Sequence, residues 1–489
     1  MSNQAPPTSF LAVRGTKIVH EDSGAEIILR GAGLGGWLCM ENFISGFSGC
    51  EFQAREALEE VLGEEKAEFF FDKFLTYFFT ASDAKFFKSL SLNCIRIALN
   101  YRHFESDSAP RTLRFNCFAH LDRVVALCAE QGIYTILDMH TAPGGQSGGW
   151  HCDSALHLAN FWRHKDFQDR FVWLWTILAE RYKDNAWIAG YNLLNEPADP
   201  HPGHASLIAL YDRTIAAVRA VDSRHTLYLD GNTFATDFTK FPENVRGGER
   251  WGENVAYSIH DYSVYGFASA PEPYARTPEQ MERQKNTYLR KRKWMDERGL
   301  CVWNGEWGPV YARKAFDGDG FEETNERRYN VLDDQLAMYG KDGLSWSIWL
   351  YKDIGFQGMV HVSPTTPYLA RLQDFLARKH RLGIDAWGTS PTPEVAAAFD
   401  PIMNLIKTNV SNPEHLKLYP QIWRYDGRVT RVARTMLVAE FMVKEWADHF
   451  KGMSEEELDE MAKSFLFENC LLREGLNEKL RSHAPKVEN

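Results

Sequence analysis

Two glutamates, each at the end of a short apolar run, are the residues best placed to do chemistry. Glu196 closes the stretch Gly190–Pro197, GYNLLNEP, and Glu306 sits in Cys301–Gly308, CVWNGEWG. Short apolar runs with a breaker behind them suit strands buried on both faces. A carboxylate placed where such a strand runs out can project from a rigid base into a cleft. Two of them match the needs of retaining glycoside hydrolysis. One carboxyl must be protonated to donate to the leaving oxygen, and the other ionised to attack the sugar. Taken singly, either glutamate could equally be a solvated loop carboxylate.

The elements that must hold such a pair can be read along the chain. Leu11 to Val19, a turn at Asp22–Gly24 and a return over Ile27 to Arg30 predict a small hairpin. Gly31, Gly33, Gly35 and Gly36 follow. They superficially match a dinucleotide fingerprint, but no helix opens after them and no βαβ unit surrounds them, so nucleotide binding is rejected. Glycines that let the backbone approach a barrel floor or a ligand account for them better. Glu51 to Lys88 reads as helical and Phe-rich, a core-facing pattern. From the glycine-rich element onward about eight apolar runs alternate with amphipathic helices, ending at LSWSIWLYK, 344–352. That alternation predicts an α/β fold, a (β/α)8 TIM barrel over residues 11–380 with a short N-terminal β-hairpin. Residues 1–10 read as a flexible tail. Residues 381–489 read as a C-terminal helical extension packed on the barrel, with helices near 429–450 and 453–482, the second capped at Ser454, and a disordered HAPKVEN tail.

Composition narrows the function classes. A net charge of −11 with no offsetting basic block argues against a nucleic-acid or anionic-membrane partner. The short basic run Arg290–Lys293 reads as a solvated helix face. No stretch approaches the roughly 20 apolar residues that span a bilayer. Aromatics make up 13%, with 15 Trp, which suits a site that stacks sugar rings as well as a large core. The N-terminal MSNQAPPTSF has no basic start and no apolar run of secretory length, so a cytoplasmic location is expected, or a secreted one if a leader has been removed. Eight scattered cysteines without a CxxC pair read as reduced, mostly buried thiols.

A barrel should collect polar groups at the C-terminal ends of its strands. Arg96 lies within the second strand, His140 ends the third, and Asn195 and Glu196 end the fourth. His260 and Tyr262 end the sixth, Glu306 ends the seventh, and Trp346 and Trp349 lie on the eighth. Arg96 beside Glu306 would keep a nucleophile ionised. Tyr262 could bond the same carboxylate, and His260 could reach the sugar or the acid. Asn195 suits a sugar 2-hydroxyl, and Glu196 the acid and then the base.

These motifs together resemble glycoside hydrolase family five, over roughly residues 28–355. LRGAGLGGWLCMEN is similar to the opening segment of the fungal exo-β-1,3-glucanases. NCIRIALNY resembles the strand with the site arginine, and DMHTAPGGQSG the segment after the third strand. LLNEP, IHDY, NGEWG and WSIWLYKD look like the acid/base, His-x-Tyr, nucleophile and platform-Trp segments. The resemblance implies Glu196 as acid/base and Glu306 as nucleophile. It implies that Arg96, His140, Asn195, His260, Tyr262 and Trp349 line the subsite of the cleaved sugar, and that Glu41 contacts that sugar. Three departures stand out: Glu41-Asn42 where the glucanases have Glu-Pro, IALNYRHF after the arginine strand, and the unmatched YKDIGFQGMV and C-terminal segment. The expected activity is therefore a cofactor-free, metal-free retaining β-glycoside hydrolase, exo-acting on β-1,3-glucan-type oligosaccharides. The alternatives are a β-glycosidase on a glycolipid, an aryl or steryl glucoside or a pentoside, a metal-dependent barrel hydrolase using Asp138, His140, His151 and His260, and a non-catalytic carbohydrate-binding protein.

Overall fold

A computed structural model describes residues 9–385, 387–417 and 425–484. The first two strands, β1 (Leu11–Arg14) and β2 (Lys17–His20), form an antiparallel hairpin. Its turn is at Gly15–Thr16, earlier than expected, because Gly15 takes φ +61 at no steric cost. The chain turns again at Asp22–Gly24, where the His20 N–H donates to the Ala25 carbonyl. Most of the expected N-terminal tail lies outside the described residues. Ser9 and Phe10 do not belong to a tail: both are buried, and Arg224 stacks over the Phe10 ring at 3.5 Å.

Eight parallel strands then close into a barrel: β3 (Arg30–Leu34), β4 (Cys94–Asn100), β5 (Tyr134–Thr141), β6 (Ile188–Asn192), β7 (Thr226–Asp230), β8 (Val255–His260), β9 (Val302–Glu306) and β10 (Ser345–Ile348). β10 pairs with β9 on one side and β3 on the other, which removes every edge. Helices such as Ala119–Glu130, Lys165–Tyr182 and Ala205–Val221 connect successive strands. The hairpin closes the N-terminal end. Leu11, Val13 and Ile18 pack with the barrel-interior residues Cys94, Ile136, Tyr228 and Trp303, and the Val13 N–H donates to Asn254 just before β8 begins. The opposite, C-terminal end is thereby the one left for a site.

The Phe-rich region is three helices rather than one, Glu51–Leu62, Glu64–Phe78 and Ala81–Ser89, broken at Gly63 (φ +81) and at Thr80. Its aromatic stripe is covered by the C-terminal extension. Phe70 meets Phe450 at 5.1 Å, Phe74 meets Phe465 at 4.7 Å, and the Tyr77 hydroxyl donates to Asp459. The extension holds helices at Tyr425–Val432 and Ala439–Asp448 joined by a π-helical turn, and a helix at Glu455–Lys463 capped at Ser454. The helix expected over 453–482 is interrupted, because Cys470–Leu472 forms a strand beside Val360–Val362 before the chain turns helical again at Glu474–Ser482. The final residues 485–489 lie outside the described part, but His483 bonds Asp333. The basic run Arg290–Lys293 is not wholly solvated: Lys291 is buried and ion-paired to Asp261 at 2.9 Å.

Candidate active site

Strand ends bring the two glutamates together. Glu306 is the last residue of β9, and Glu196 lies four residues beyond β6, past the two leucines expected to be in the strand. Glu196 is held at φ +45, a left-handed conformation that costs a non-glycine residue about 1–2 kcal/mol. Asp230, at the end of β7, accepts its backbone N–H at 2.9 Å and so helps hold the turn. Strain of this kind persists where the surroundings over-determine it, commonly at functional sites. One ligand-type atom each of Glu196, Glu306 and His260 lies within 4.8 Å of the others. Two carboxyl groups this close are what a double displacement on one sugar needs.

The environments of the two carboxylates differ. Arg96, fully buried in β4, donates to Glu306 Oε1 at 2.7 Å, and the Tyr262 hydroxyl donates to Oε2 at 2.9 Å. Burial pushes the Glu306 carboxyl up, but the charges of His260, Arg96 and His140 outweigh it and hold it at about 2. It is thus ionised throughout the neutral range. Arg96 is fixed in turn by Asn192 (2.9 Å), Asn195 (2.7 Å) and Asp138 (3.1 Å). Glu196 Oε1 is 2.7 Å from His260 Nδ1, and its Oε2 is 3.5 Å from His151 Nε2. His140 bonds Asp138 at 2.8 Å; burial lowers its pKa, and the Asp138 charge more than reverses this, leaving it raised.

Trp349 and the glycines of β3 belong to one arrangement. The Trp349 indole lies parallel to the His140 ring, 5.1 Å away. It also fills the space over Gly33 and Gly35, where an added Cβ would stand 2.3 and 2.5 Å from its ring. These glycines therefore make room for a wall of the pocket. Glu41 joins it as a buried carboxyl that accepts from Trp150 Nε1 at 3.0 Å. Burial, and next to it the repulsion of Glu306 against a partly offsetting His140, raises Glu41 to about 8.

Glu41, His140, Glu196, His260, Tyr262, Glu306 and Trp349 all line one cavity of about 320 Å³. Arg96 and Asn195 lie beneath it, fully covered, and act through Glu306 and His140. Trp346 does not reach the cavity: it packs edge-on against Trp307, which in turn meets Tyr339 of the helix Phe321–Asp342. β10 ends at Ile348, so Trp346 lies within the strand and packs toward the helical layer, while Trp349, expected on the same strand, stands just beyond its end and lines the pocket. A neighbouring cavity of about 430 Å³ shares the Phe267 wall but contains neither strand-end glutamate. Among the described residues, the group close enough to ligate a cation is Glu196, His260 and Glu306, not the Asp138, His140, His151 and His260 set weighed from sequence. Glu306 already accepts from Arg96, and Glu196 is hydrogen-bonded to His260, an arrangement suited to proton transfer. Sequence reading missed Asp230, Trp150, Phe234, Trp387 and Arg431; His151 was weighed only as a metal ligand. Of these only Asp230, closing the apolar run TLYLD, carried the strand-end signal.

Comparison with known proteins places this geometry. Residues 65–355, more than half the chain, match the family described as Cellulase (glycosyl hydrolase family 5). A β-xylosidase of Phanerodontia chrysosporium is 61% identical over 480 residues, 98% of this chain and 99% of that protein. A probable glucan 1,3-β-glucosidase A of Emericella nidulans is 30% identical over 244 residues, 48% of this chain and 58% of that one. The crystal structure of an endogalactoceramidase superposes with a TM-score of 0.50 at 18% identity, over 70% of this chain and 74% of that one, a likeness of fold.

Proposed function

The chain belongs to glycosyl hydrolase family 5, a glycosidase hydrolysing O-glycosyl bonds, and on that premise we propose that it is a retaining exo-β-xylosidase. The observation that carries the choice of sugar is the 61% identity, over nearly the full length of both chains, to a protein named as a β-xylosidase. The glucan 1,3-β-glucosidase likeness is weaker and spans about half of each chain, so the β-1,3-glucan expectation has less support.

In this reading Glu306, kept ionised by Arg96 and Tyr262, attacks the anomeric carbon and forms a glycosyl-enzyme. Glu196 gives its proton to the glycosidic oxygen as that bond breaks. It then takes a proton from the water that attacks the glycosyl-enzyme, returning both glutamates to their starting states. His260, 2.7 Å from Glu196 and 3.6 Å from Glu306, orients the acid and adds positive charge beside the nucleophile. Glu41 and Trp349, which the family resemblance assigns to the cleaved sugar, line the same pocket as the two glutamates. Initial rates on 4-nitrophenyl β-xyloside, β-glucoside and β-galactoside, beside xylo- and laminari-oligosaccharides, test the proposal. Preference for the β-xyloside, with xylose as the product from xylo-oligosaccharides, is expected. Preference for the β-glucoside or for laminari-oligosaccharides would overturn the choice of sugar while leaving the mechanism in place.

A further inference from the structure

Trp150 and His151 reach the catalytic pocket from a single 3-10 turn, Trp150–Cys152, which Asp153 closes. Trp150 Nε1 donates to Glu41, and His151 Nε2 lies 3.5 Å from Glu196. The backbone bonds of the turn, from the Cys152 and Asp153 N–H groups to the Gly149 and Trp150 carbonyls, are local. Side chains tie it to the barrel. Thr141, at the end of β5, donates to the His151 carbonyl at 2.7 Å. Asp153 itself stands at φ +48, a left-handed conformation that a non-glycine residue keeps only where its surroundings over-determine it.

The surroundings act through the Asp153 carboxylate. Its Oδ1 accepts the Phe52 N–H, in the first turn of the helix Glu51–Leu62, at 2.9 Å. Its Oδ2 accepts from Asn100 Nδ2 at 2.9 Å and lies 2.9 Å from Arg102 Nε. Asn100 is the last residue of β4, the strand that also presents Arg96 to Glu306. The Asn100 amide donates as well to Glu51 Oε2 at 3.1 Å, and that oxygen accepts the Met40 N–H at 2.9 Å, next to Glu41. Arg55 and His103 bond the other Glu51 oxygen at 2.9 and 2.8 Å. Glu51, Asn100 and Asp153 are all buried, and none of them lines the pocket. A closed chain of contacts results. Glu41 meets Trp150 directly, and the path back runs from Trp150 through Asp153, Asn100, Glu51 and Met40. Hydrogen bonds to ionised carboxylates are the short, directional kind, and removing the acceptor leaves buried donors unpaired.

We propose that Asp153 is a positioning residue for the reaction, holding Trp150 against Glu41 and His151 beside Glu196 from outside the pocket. This rests on the glycosidase reading above and adds to it the group that sets one wall of the site. The test is a double-mutant cycle on kcat/KM, with Asp153→Ala made in wild type and in the Trp150→Ala/His151→Ala variant. All rates are taken well below each protein's Tm, with melting followed in parallel. In wild type the substitution should lower kcat/KM by about tenfold or more, since a 1 Å misplacement costs up to about 100-fold. In the second background the turn has nothing left to place, and the same substitution should cost less than about threefold. A smaller loss in wild type, or a larger one in the second background, overturns the proposal; a purely structural role would lower Tm alike in both and leave the cycle additive. Should Asp153→Ala fail to fold, the cycle is run with Asp153→Asn, which keeps one acceptor oxygen, and the same two outcomes decide. The substrate is whichever nitrophenyl glycoside the panel identifies, so a wrong sugar shows in the panel and a wrong role for Asp153 in the cycle.

Discussion

Replacing Glu41 by Gln should make the protein more stable, and by an amount that depends on pH in a defined way. Glu41 is raised from an ordinary value of 4.5 to about 8 by burial and by Glu306. The folded state therefore keeps its proton between pH 4.5 and about 8, while the unfolded chain has already lost it. The unfolded state binds fewer protons across that window, so this residue lowers stability progressively as pH rises through it. At pH 4 the cost is absent; at pH 7 it reaches about 3 kcal/mol, from 1.36 kcal/mol per pH unit. Glutamine has no proton to lose, and its amide oxygen can still accept from Trp150 Nε1. The difference between variant and wild type should then grow by about 3 kcal/mol from pH 4 to pH 7. For a chain of this size the unfolding entropy is about 1 kcal/mol/K, so Tm should rise by about 3 °C at pH 7 and be unchanged at pH 4. Calorimetric or fluorescence melting of both proteins at these two pH values is the assay. A variant less stable than wild type at pH 7, or a difference that does not grow with pH, refutes the reasoning. Activity should respond less, since the glutamine amide, like the neutral carboxyl, offers an acceptor to Trp150 and a donor to a sugar hydroxyl.

Gly33→Ala drives a Cβ to 2.3 Å from the Trp349 ring and should cost about 1–3 kcal/mol together with most of the activity, measured by melting and by turnover. Trp346→Ala and Trp349→Ala should separate two roles. The first should lower stability by about 3–5 kcal/mol through a cavity against Trp307, with KM of the folded fraction kept. The second should raise KM and lower kcat/KM. Asp230→Ala removes the acceptor that holds the strained Glu196 backbone, so kcat should fall tenfold or more; an unchanged kcat would show that the φ of Glu196 is set elsewhere.

Much of the barrel and the meeting of the two glutamates was legible because both rest on local signals. Apolar runs of strand length, each ending in a polar residue, locate β6 and β9 and with them Glu196 and Glu306. The contact of Arg96 with Glu306 followed from an arginine within one barrel strand and a carboxylate at the end of another. What escaped has physical reasons. Trp346 and Trp349 share a sequence motif, but the strand ends between them at Ile348, so the first packs into the helical layer and the second stands over the β3 glycines. Trp150 and His151 sit on a single 3-10 turn, too short to leave a periodic signal. The strand Cys470–Leu472 is three residues long and exists only because Val360–Val362 offers it a partner. Arg431 lies on a surface-like helix whose pattern of charges reads as solvated. Only the docking of the extension on the Phe-rich helices turns it toward the pocket.

The central claim is that Glu306 forms a covalent bond to the sugar, and trapping that bond tests it most directly. Incubation with an activated 2-deoxy-2-fluoro-β-xyloside slows breakdown of the glycosyl-enzyme more than its formation, and intact-mass and peptide spectrometry then find the label. One fluoro-xylosyl group per chain, on the peptide that carries Glu306 and absent in Glu306→Gln, is the predicted result. A label on Glu196, or steady turnover of the reagent by Glu306→Gln, would contradict the account.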